Sequence, residues 1–175
     1  IGILRCNNML GKSDETILAA NAIIQSDKLD PGIVREAIYS RAKAYELKGD
    51  SANALKDYQE LSTNCMDEYG AESKYRVAEY YFFMNDLKKS EKEIFEFIDK
   101  NTPHQYWLAK SFILLSDIYV EENRDFEAKQ YLLSVRENYS GTSDISTEIK
   151  IRLEKIENKE AQKVVTETSN ETPNK

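Results

Sequence analysis

Small and aromatic residues recur through the chain at a nearly fixed distance. Ala42 is followed by Ala78 after 36 residues (78 − 42) and by Ser116 after 38 more (116 − 78). A tyrosine follows each of them three positions later (45 − 42), and a second small residue 12 positions later (54 − 42). The tyrosines are Tyr45, Tyr81 and Tyr119, and the second small residues are Ala54, Ser90 and Ala128. This spacing predicts repeated helix pairs.

The residue types at these positions suit two helices that lie close together. Small side chains let the paired helices approach, and the tyrosines fill the gap to the next helix. A large side chain at a small position would overpack the contact at a cost of about 1–3 kcal/mol. A period of about 34 residues with two helices per copy is typical of tetratricopeptide repeats.

On these residues the sequence resembles the tetratricopeptide repeat family. Three copies are readable, at about residues 35–68, 71–104 and 109–142, and a degenerate copy precedes them. The resemblance implies an all-α fold, a right-handed α-α superhelix of antiparallel helix pairs. Some positions depart from the family pattern: Ile38, Lys74 and Phe112 replace the first-helix Trp, and Met66 and Thr102 replace the terminal Pro.

The resemblance divides the chain into four parts. Residues 1–30 form a partial first repeat, and residues 31–143 hold the three helix pairs. A capping helix is expected over residues 144–160, followed by a disordered tail over residues 161–175, which are polar and lack an apolar period. The inward residues of the capping helix are Ile145, Ile149, Leu153 and Ile156, while Glu148, Lys150, Arg152, Glu154, Lys155 and Glu157 are expected to face water.

Several helix boundaries can be predicted from capping residues. Ser13 or Asp14 is expected to cap the second helix, and Asp30-Pro31 to open the third. Gly49-Asp50 and Asn85-Asp86 mark turns within pairs, and Gly70 separates two copies. Thr102 and Gln105 predict a capping box with Pro103 at the first helical position. The helix after it, residues 106–120, is apolar nearly all round, so we expect it to be buried on several sides.

No catalytic or cofactor-binding arrangement is visible in the sequence. The single histidine, His104, is expected to be an exposed residue at a helix start, and Cys6 and Cys65 are expected to be buried thiols. Their spacing suits neither a metal site nor an obvious disulfide, and no serine or cysteine has a nearby general base. We therefore expect a protein that is not an enzyme and that holds no cofactor and no metal.

The resemblance implies that binding takes place in a groove lined by the first helix of each pair. The positions that carry over and that we predict to contact a partner are Glu36, Tyr39, Lys43, Glu72, Tyr75, Glu79, Phe82 and Asp117; Glu46, Phe83, Lys110, Ile113 and Glu121 lie on the same faces. The family's clamp for carboxylate tails is absent, because Tyr39 and Tyr75 stand at its cationic positions. Phe82 is open between groove and core, and for Phe83 the core is favoured.

These residues predict a non-enzymatic interaction module that binds a protein or peptide, basic or apolar, in an acidic groove with aromatic anchors. A net charge of −7 argues against nucleic acid and against an anionic membrane surface. No run is long and apolar enough for membrane insertion.

The alternative is a structural scaffold, a segment of a larger bacterial envelope protein that acts through its ends. Residues 101–132 are similar to the C-terminal part of long repeat proteins of Gram-negative bacteria, which favours a periplasmic or outer-membrane-associated location over a cytoplasmic one. Since Ile1 is not a natural start, the chain is expected to be cut from a longer one. An exposed apolar first helix near residues 1–10 would promote a homodimer.

Overall fold

The computed structural model describes residues 1–26 and 29–170, with side chains described as far as residue 162. Within these ranges the chain is all-helical, and its helices pack in adjacent pairs. The helices are α1 (Gly2–Met9), α2 (Ser13–Ile24), α3 (Pro31–Leu47), α4 (Ser51–Leu61), α5 (Glu68–Phe83), α6 (Leu87–Asp99), α7 (Gln105–Glu121), α8 (Asp125–Asn138) and α9 (Ser143–Asn170).

The chain separates into two compact units. Unit 1 is Ile1–Leu108 and unit 2 is Ala109–Lys175. Unit 1 holds α1 to α6 and the first residues of α7. Unit 2 holds the rest of α7 together with α8 and α9.

One turn geometry joins the two helices of every pair. The residues with positive φ at these turns are Gly11 (67°), Gly49 (75°), Asn85 (59°) and Asn123 (60°). At Gly49 the backbone N–H donates to the Glu46 carbonyl at 3.0 Å, and the next N–H, of Asp50, donates to the Tyr45 carbonyl at 2.9 Å. The same two bonds recur at the other three turns. Glycine and asparagine suit these positions because they enter the left-handed region at least cost.

The turns recur at the same 36- and 38-residue spacings as the small residues. Asn85 follows Gly49 by 36 residues (85 − 49), and Asn123 follows Asn85 by 38 (123 − 85). Gly11 precedes Gly49 by 38 (49 − 11), so α1 and α2 form a pair with the same turn as the later ones. Residues 1–30 were expected to form only a partial repeat, because their side chains match the pattern poorly. The backbone of this segment nevertheless follows it.

The small residues of the pattern lie where helices touch. All six are buried with at most 1% of their surface exposed: Ala42, Ala54, Ala78, Ser90, Ser116 and Ala128. The Ser90 hydroxyl donates to the Ala78 carbonyl at 2.7 Å, so a serine is accommodated in this contact. Thr16 is the α2 counterpart, 38 residues before Ala54 (54 − 16), and its buried hydroxyl has no hydrogen-bond partner among the described residues.

Aspartates cap three helices at the boundaries that the sequence indicated. Pro31 is the first residue of α3, and the Asp30 carboxylate accepts from the Gly32 N–H at 2.8 Å. In the same way Asp50 caps α4 and Asp86 caps α6. The α2 cap was predicted wrongly: Ser13 is the first helical residue, Lys12 precedes it, and no side chain caps the helix.

The predicted capping box at Thr102 does not form. Helix α7 begins at Gln105, and the Thr102 hydroxyl donates to the Cys65 carbonyl at 2.7 Å while accepting from the His104 N–H at 3.2 Å. The Gln105 amide turns back to the Thr102 carbonyl at 3.3 Å. The hydroxyl accepts from the His104 N–H and not from the Gln105 N–H that a capping box requires, because the Gln105 N–H donates to the Pro103 carbonyl at 3.0 Å.

Two further boundaries differ from the expectations. Gly70 lies inside the first turn of α5, which Asp67 caps, and does not separate two copies. Helix α9 continues past residue 160, where a disordered tail was expected to start; residues 171–175 of that tail lie outside the described residues. The residues just after 160, Ala161, Gln162 and Lys163, are good helix formers, so the lack of an apolar period does not end the helix.

Lys74 occupies a buried position in α5 where the family has Trp. Its side chain is 6% exposed, and its ammonium contacts Glu93 and, at 2.8 Å, Glu96 on α6. Burial lowers the pKa of Lys74, but the two carboxylates outweigh burial and raise it above the ordinary value. An ion-pair cluster thus links α5 to α6 where an aromatic ring would otherwise pack.

Replacing Gly70 by alanine should destabilise unit 1. An added Cβ would lie 1.7 Å from the backbone oxygen of Asn64, closer than any real contact. We expect Gly70→Ala to lower the free energy of unfolding in urea by about 3 kcal/mol, although alanine is the better helix former by about 1 kcal/mol. Gly2→Ala, also in a helix but with no atom within 4 Å of the added Cβ, is the matched control and should cost nothing. Equal stability of the two variants would contradict the close approach.

Candidate functional site

In unit 1 the predicted groove residues of α3 and α5 form one hydrogen-bonded face. The Tyr39 hydroxyl donates to Glu72 Oε2 at 2.6 Å, and Lys43 Nζ lies 3.6 Å from Glu72 Oε1. Lys43 also contacts Glu46 at 3.1 Å. Burial and the Glu72 carboxylate raise the pKa of Tyr39 far above its ordinary value, so the phenol stays protonated and keeps donating. Residues four apart on a helix share a face, which explains why these side chains meet.

Arg76 is the central cation of this face. Its guanidinium lies 2.7 Å from Glu79, 3.4 Å from Glu72 and 3.8 Å from Glu46. Burial lowers the pKa of Arg76, but the three carboxylates raise it well above the ordinary value. Burial by itself would raise the pKa of Glu46. The charge of Arg76 and the hydrogen bond from the Tyr58 hydroxyl outweigh burial, so the pKa of Glu46 is lowered. Arg76 therefore favours the ionised form of the Glu46 carboxylate.

Glu36, the first of the predicted groove residues, is bound by α1. Arg5 holds it with two parallel hydrogen bonds, Nε to Oε1 at 2.6 Å and Nη2 to Oε2 at 2.7 Å. The hydrogen bond from Arg5 lowers the pKa of Glu36 below its usual range. The two residues are 31 positions apart, and the sequence offered no sign that they meet.

The face is therefore less acidic than the sequence suggested. Four carboxylates lie on it, those of Glu36, Glu46, Glu72 and Glu79. Three cations lie among them, those of Arg5, Lys43 and Arg76. One negative charge remains in excess, so the steering of a basic partner would be weak.

The aromatic residues of the face differ widely in exposure. Tyr75 is only 5% exposed, its hydroxyl donates to Glu79 at 2.6 Å, and its ring centroid lies 5.6 Å from that of Trp107. Phe82 is half-buried and packs edge-on against Phe83 with centroids 5.8 Å apart. Phe83, for which the core was favoured, is 76% exposed. Phe82 and Phe83 thus offer more surface to a partner than Tyr75 does.

In unit 2 the predicted groove residue Asp117 is bound by α9. Arg152 Nε and Nη2 donate to its carboxylate at 2.8–3.0 Å, and Lys110 binds Glu148 at 2.7 Å. Glu148 and Arg152 were expected to face water, so the contribution of α9 was missed. A signal was present: Ile151 follows Ile113 by 38 residues (151 − 113), and Lys155 follows Asp117 by the same distance (155 − 117).

The cysteines and the histidine form no joint site. Cys65 is 2% exposed, its thiol donates to the Ser62 carbonyl at 3.2 Å, and burial raises its pKa. Cys6 is free and exposed, which corrects the expectation that both thiols are buried. His104 Nε2 lies 3.2 Å from the Met66 carbonyl oxygen.

Among the described residues, no group of three or more His, Cys, Asp or Glu side chains is arranged to hold a metal ion. None of the described helices combines the length and the apolar character that crossing a membrane requires.

Removing the central cation should expose the repulsion among the glutamates. Arg76→Met leaves Glu46, Glu72 and Glu79 with Lys43 alone, and should lower the free energy of unfolding at pH 7 by about 2 kcal/mol. The loss should shrink below about pH 4.5, since the wild-type stabilisation needs an ionised Glu46 and disappears as pH falls through the lowered folded-state pKa of that carboxyl group. Urea titrations at both pH values measure this. Arg136→Met, the same change at an exposed site of α8, should be neutral at both; a pH-independent loss in Arg76→Met would contradict the account.

Comparisons with known proteins bear on the fold. No protein-family model matches the chain, and no curated protein matches it by sequence. Among solved structures, the chain is similar to one described as "Crystal structure of BtubC (BKLC) from P. vanneervenii", with a TM-score of 0.64 at 14% sequence identity. The match covers 98% of this chain and 80% of that one. At this identity the similarity concerns the fold alone, which is all-helical with helices packed in adjacent pairs.

Proposed function

We propose that the chain is a non-enzymatic protein-interaction module of tetratricopeptide type, whose helix pairs form a right-handed superhelix and hold a peptide segment. The observation that carries the proposal is the linked face of α3 and α5. Predicted groove residues of successive first helices, such as Tyr39 on α3 and Glu72 on α5, meet there directly. The identical turns at 36- and 38-residue spacing support the tetratricopeptide assignment.

The polar groups of this face favour binding over catalysis. Tyr39, Glu72, Glu79 and Arg76 are each held by neighbours on the same face, in geometries that fix their positions. Side chains fixed in this way present a rigid pattern of donors and acceptors, and rigidity lowers the entropy cost of binding. Apolar contact with the ligand would come from Phe82 and Phe83, because exposed aromatic residues supply many of the strongest contacts in interfaces.

The peptide-binding proposal can be tested with a library of random dodecapeptides selected against the immobilised protein. An enriched peptide should bind about tenfold more weakly to Phe83→Ala, measured by fluorescence polarisation, because the ring loses contact area with the ligand. Phe126→Ala on α8, which removes an equally exposed ring (69% exposed), is the matched control and should bind as the wild type does. Since the charges of the face nearly balance, affinity should change little between low and moderate salt.

Two outcomes would count against this proposal. If no peptide is enriched, or if Phe83→Ala and Phe126→Ala bind equally, the face of α3 and α5 is not the binding surface. Circular dichroism of Phe83→Ala separates lost binding from lost helix.

The second candidate function is a scaffold that acts by self-association, and one observation favours it. Helix α1 and the residue after it expose apolar side chains: Ile3 is 74% exposed, Met9 88% and Leu10 68%. Surfaces of this kind commonly mark interaction sites.

If α1 mediates self-association, sedimentation velocity should give a weight-average mass that rises with concentration. Ile3→Ser and Leu10→Ser should abolish the rise, because they remove apolar surface that would be buried between copies. Leu18→Ser on α2, also 69% exposed, is the control. A constant monomer mass over a wide concentration range would exclude this function for the chain.

A further inference from the structure

Unit 2 contains a small pocket between α7 and α9. Its volume is about 190 Å³. Ligand sites for drug-sized molecules usually measure about 300–1,000 Å³, whereas a cavity of about 150 Å³ can hold benzene. The pocket is therefore sized for one apolar side chain. The residues that line it are Ser116, Asp117, Val120, Ile151, Arg152, Lys155, Ile156 and Lys159.

The pocket combines an apolar part with a cationic one. Val120, Ile151 and Ile156 supply the apolar part, and Ile151 is 47% exposed despite its size. A ligand side chain seated against Ile151 would remove this exposed surface from water. Burial of apolar surface favours association, against the entropy cost of ordering the ligand.

Positive charge predominates among the lining residues. Arg152 is paired with Asp117, and Lys159 Nζ donates to Asp125 at 2.7 Å. Lys155 also lines the pocket, and no carboxylate of the described residues binds its ammonium group. Arg152 and Lys159 are therefore already paired with carboxylates, and the positive charge open to a ligand is that of Lys155. This charge is complementary to an acidic ligand group.

The position of the pocket in the repeat argues that it is more than a packing defect. Ile151 and Lys155 are the α9 counterparts of Ile113 and Asp117, which the family resemblance places among the groove positions. Lys155 replaces a carboxylate at this position, so the same register carries opposite charges on α7 and α9.

We propose that this pocket binds a peptide segment in which a leucine-sized side chain stands next to an aspartate or glutamate. The apolar side chain enters the pocket against Val120, Ile151 and Ile156, and the carboxylate pairs with Lys155. The choice of a peptide as ligand rests on the proposed function, whereas the apolar and acidic requirements rest on the pocket alone.

The test uses three short probes in a titration followed by ¹H–¹⁵N correlation spectra of the full chain. The probes are N-acetyl-Leu-Glu-amide, N-acetyl-Leu-Gln-amide, which lacks only the charge, and N-acetyl-Ala-Glu-amide, which lacks the apolar group. The first should shift the amides of Val120, Ile151 and Lys155 at millimolar concentration. The second should bind about threefold more weakly, as expected for a partly exposed ion pair, and the third should leave the spectrum unchanged.

Two variants test whether Lys155 is the group that recognises the carboxylate of the probe. Lys155→Gln should make the Glu and Gln probes bind equally. Lys150→Gln is the matched control on the same helix, because the Lys150 side chain is 77% exposed and outside the pocket, and it should preserve the difference. Spectra of both free variants should match the wild type away from the substituted residue, which shows that the fold is kept.

The outcomes separate this inference from the proposed function. Equal binding of the Glu and Gln probes to the wild type, no shift with any probe, or shifts confined to unit 1 would each overturn the pocket assignment. A library peptide that depends on Phe83 would still support the proposed function in that case. Conversely, a pocket that binds the Leu-Glu probe while the library yields no Phe83-dependent peptide would move the binding surface to unit 2.

Discussion

The left-handed residue at each turn is the constraint on which the rest of the structure depends. With φ near 60–75° at Gly11, Gly49, Asn85 and Asn123, the chain reverses within a few residues, and one pair of hydrogen bonds closes every turn. The reversal brings small residues of the two helices into contact, as at Ala78 and Ser90. It also leaves α3 and α5, the first helices of successive pairs, with a shared face, where Tyr39 meets Glu72. A side chain poorly suited to positive φ at one of these sites would disturb both the pair and the face.

The sequence predicted helix boundaries correctly where only neighbouring residues determine them. Spacing alone located the helix pairs, and aspartates located the starts of α3, α4 and α6. The predictions were wrong where a residue distant in sequence contacts the boundary. The Thr102 hydroxyl donates to the distant Cys65 carbonyl and accepts from the His104 N–H, which precedes α7, so no capping box forms. Gly70 is needed because a side chain at this position would clash with Asn64, and it does not mark a break between copies.

The sequence predicted which helices carry the candidate residues, but not the exposure or the charge partners of their side chains. The eight predicted residues lie on α3, α5 and α7, yet the sequence could not show that three cations, Arg5, Lys43 and Arg76, lie among the four glutamates of the face. Nor did it distinguish Phe83, which is exposed, from Tyr75, which is buried. Such differences depend on small rotations of a helix and on partners about 30 residues away, neither of which a repeat pattern specifies. The α9 residues were missed because the helix was interpreted as a cap with one polar side.

The aspartates at the helix starts change what the net charge of −7 means. Asp30, Asp50, Asp67 and Asp86 each accept a backbone N–H at the beginning of a helix, where the helix dipole favours negative charge. These carboxylates bind backbone N–H groups at helix starts, and several glutamates form ion pairs with arginines and lysines of the same chain. An acidic isoelectric point is commonly taken to describe what a protein attracts. In this chain many of the acidic residues that lower the isoelectric point cap helices or form ion pairs between neighbouring helices.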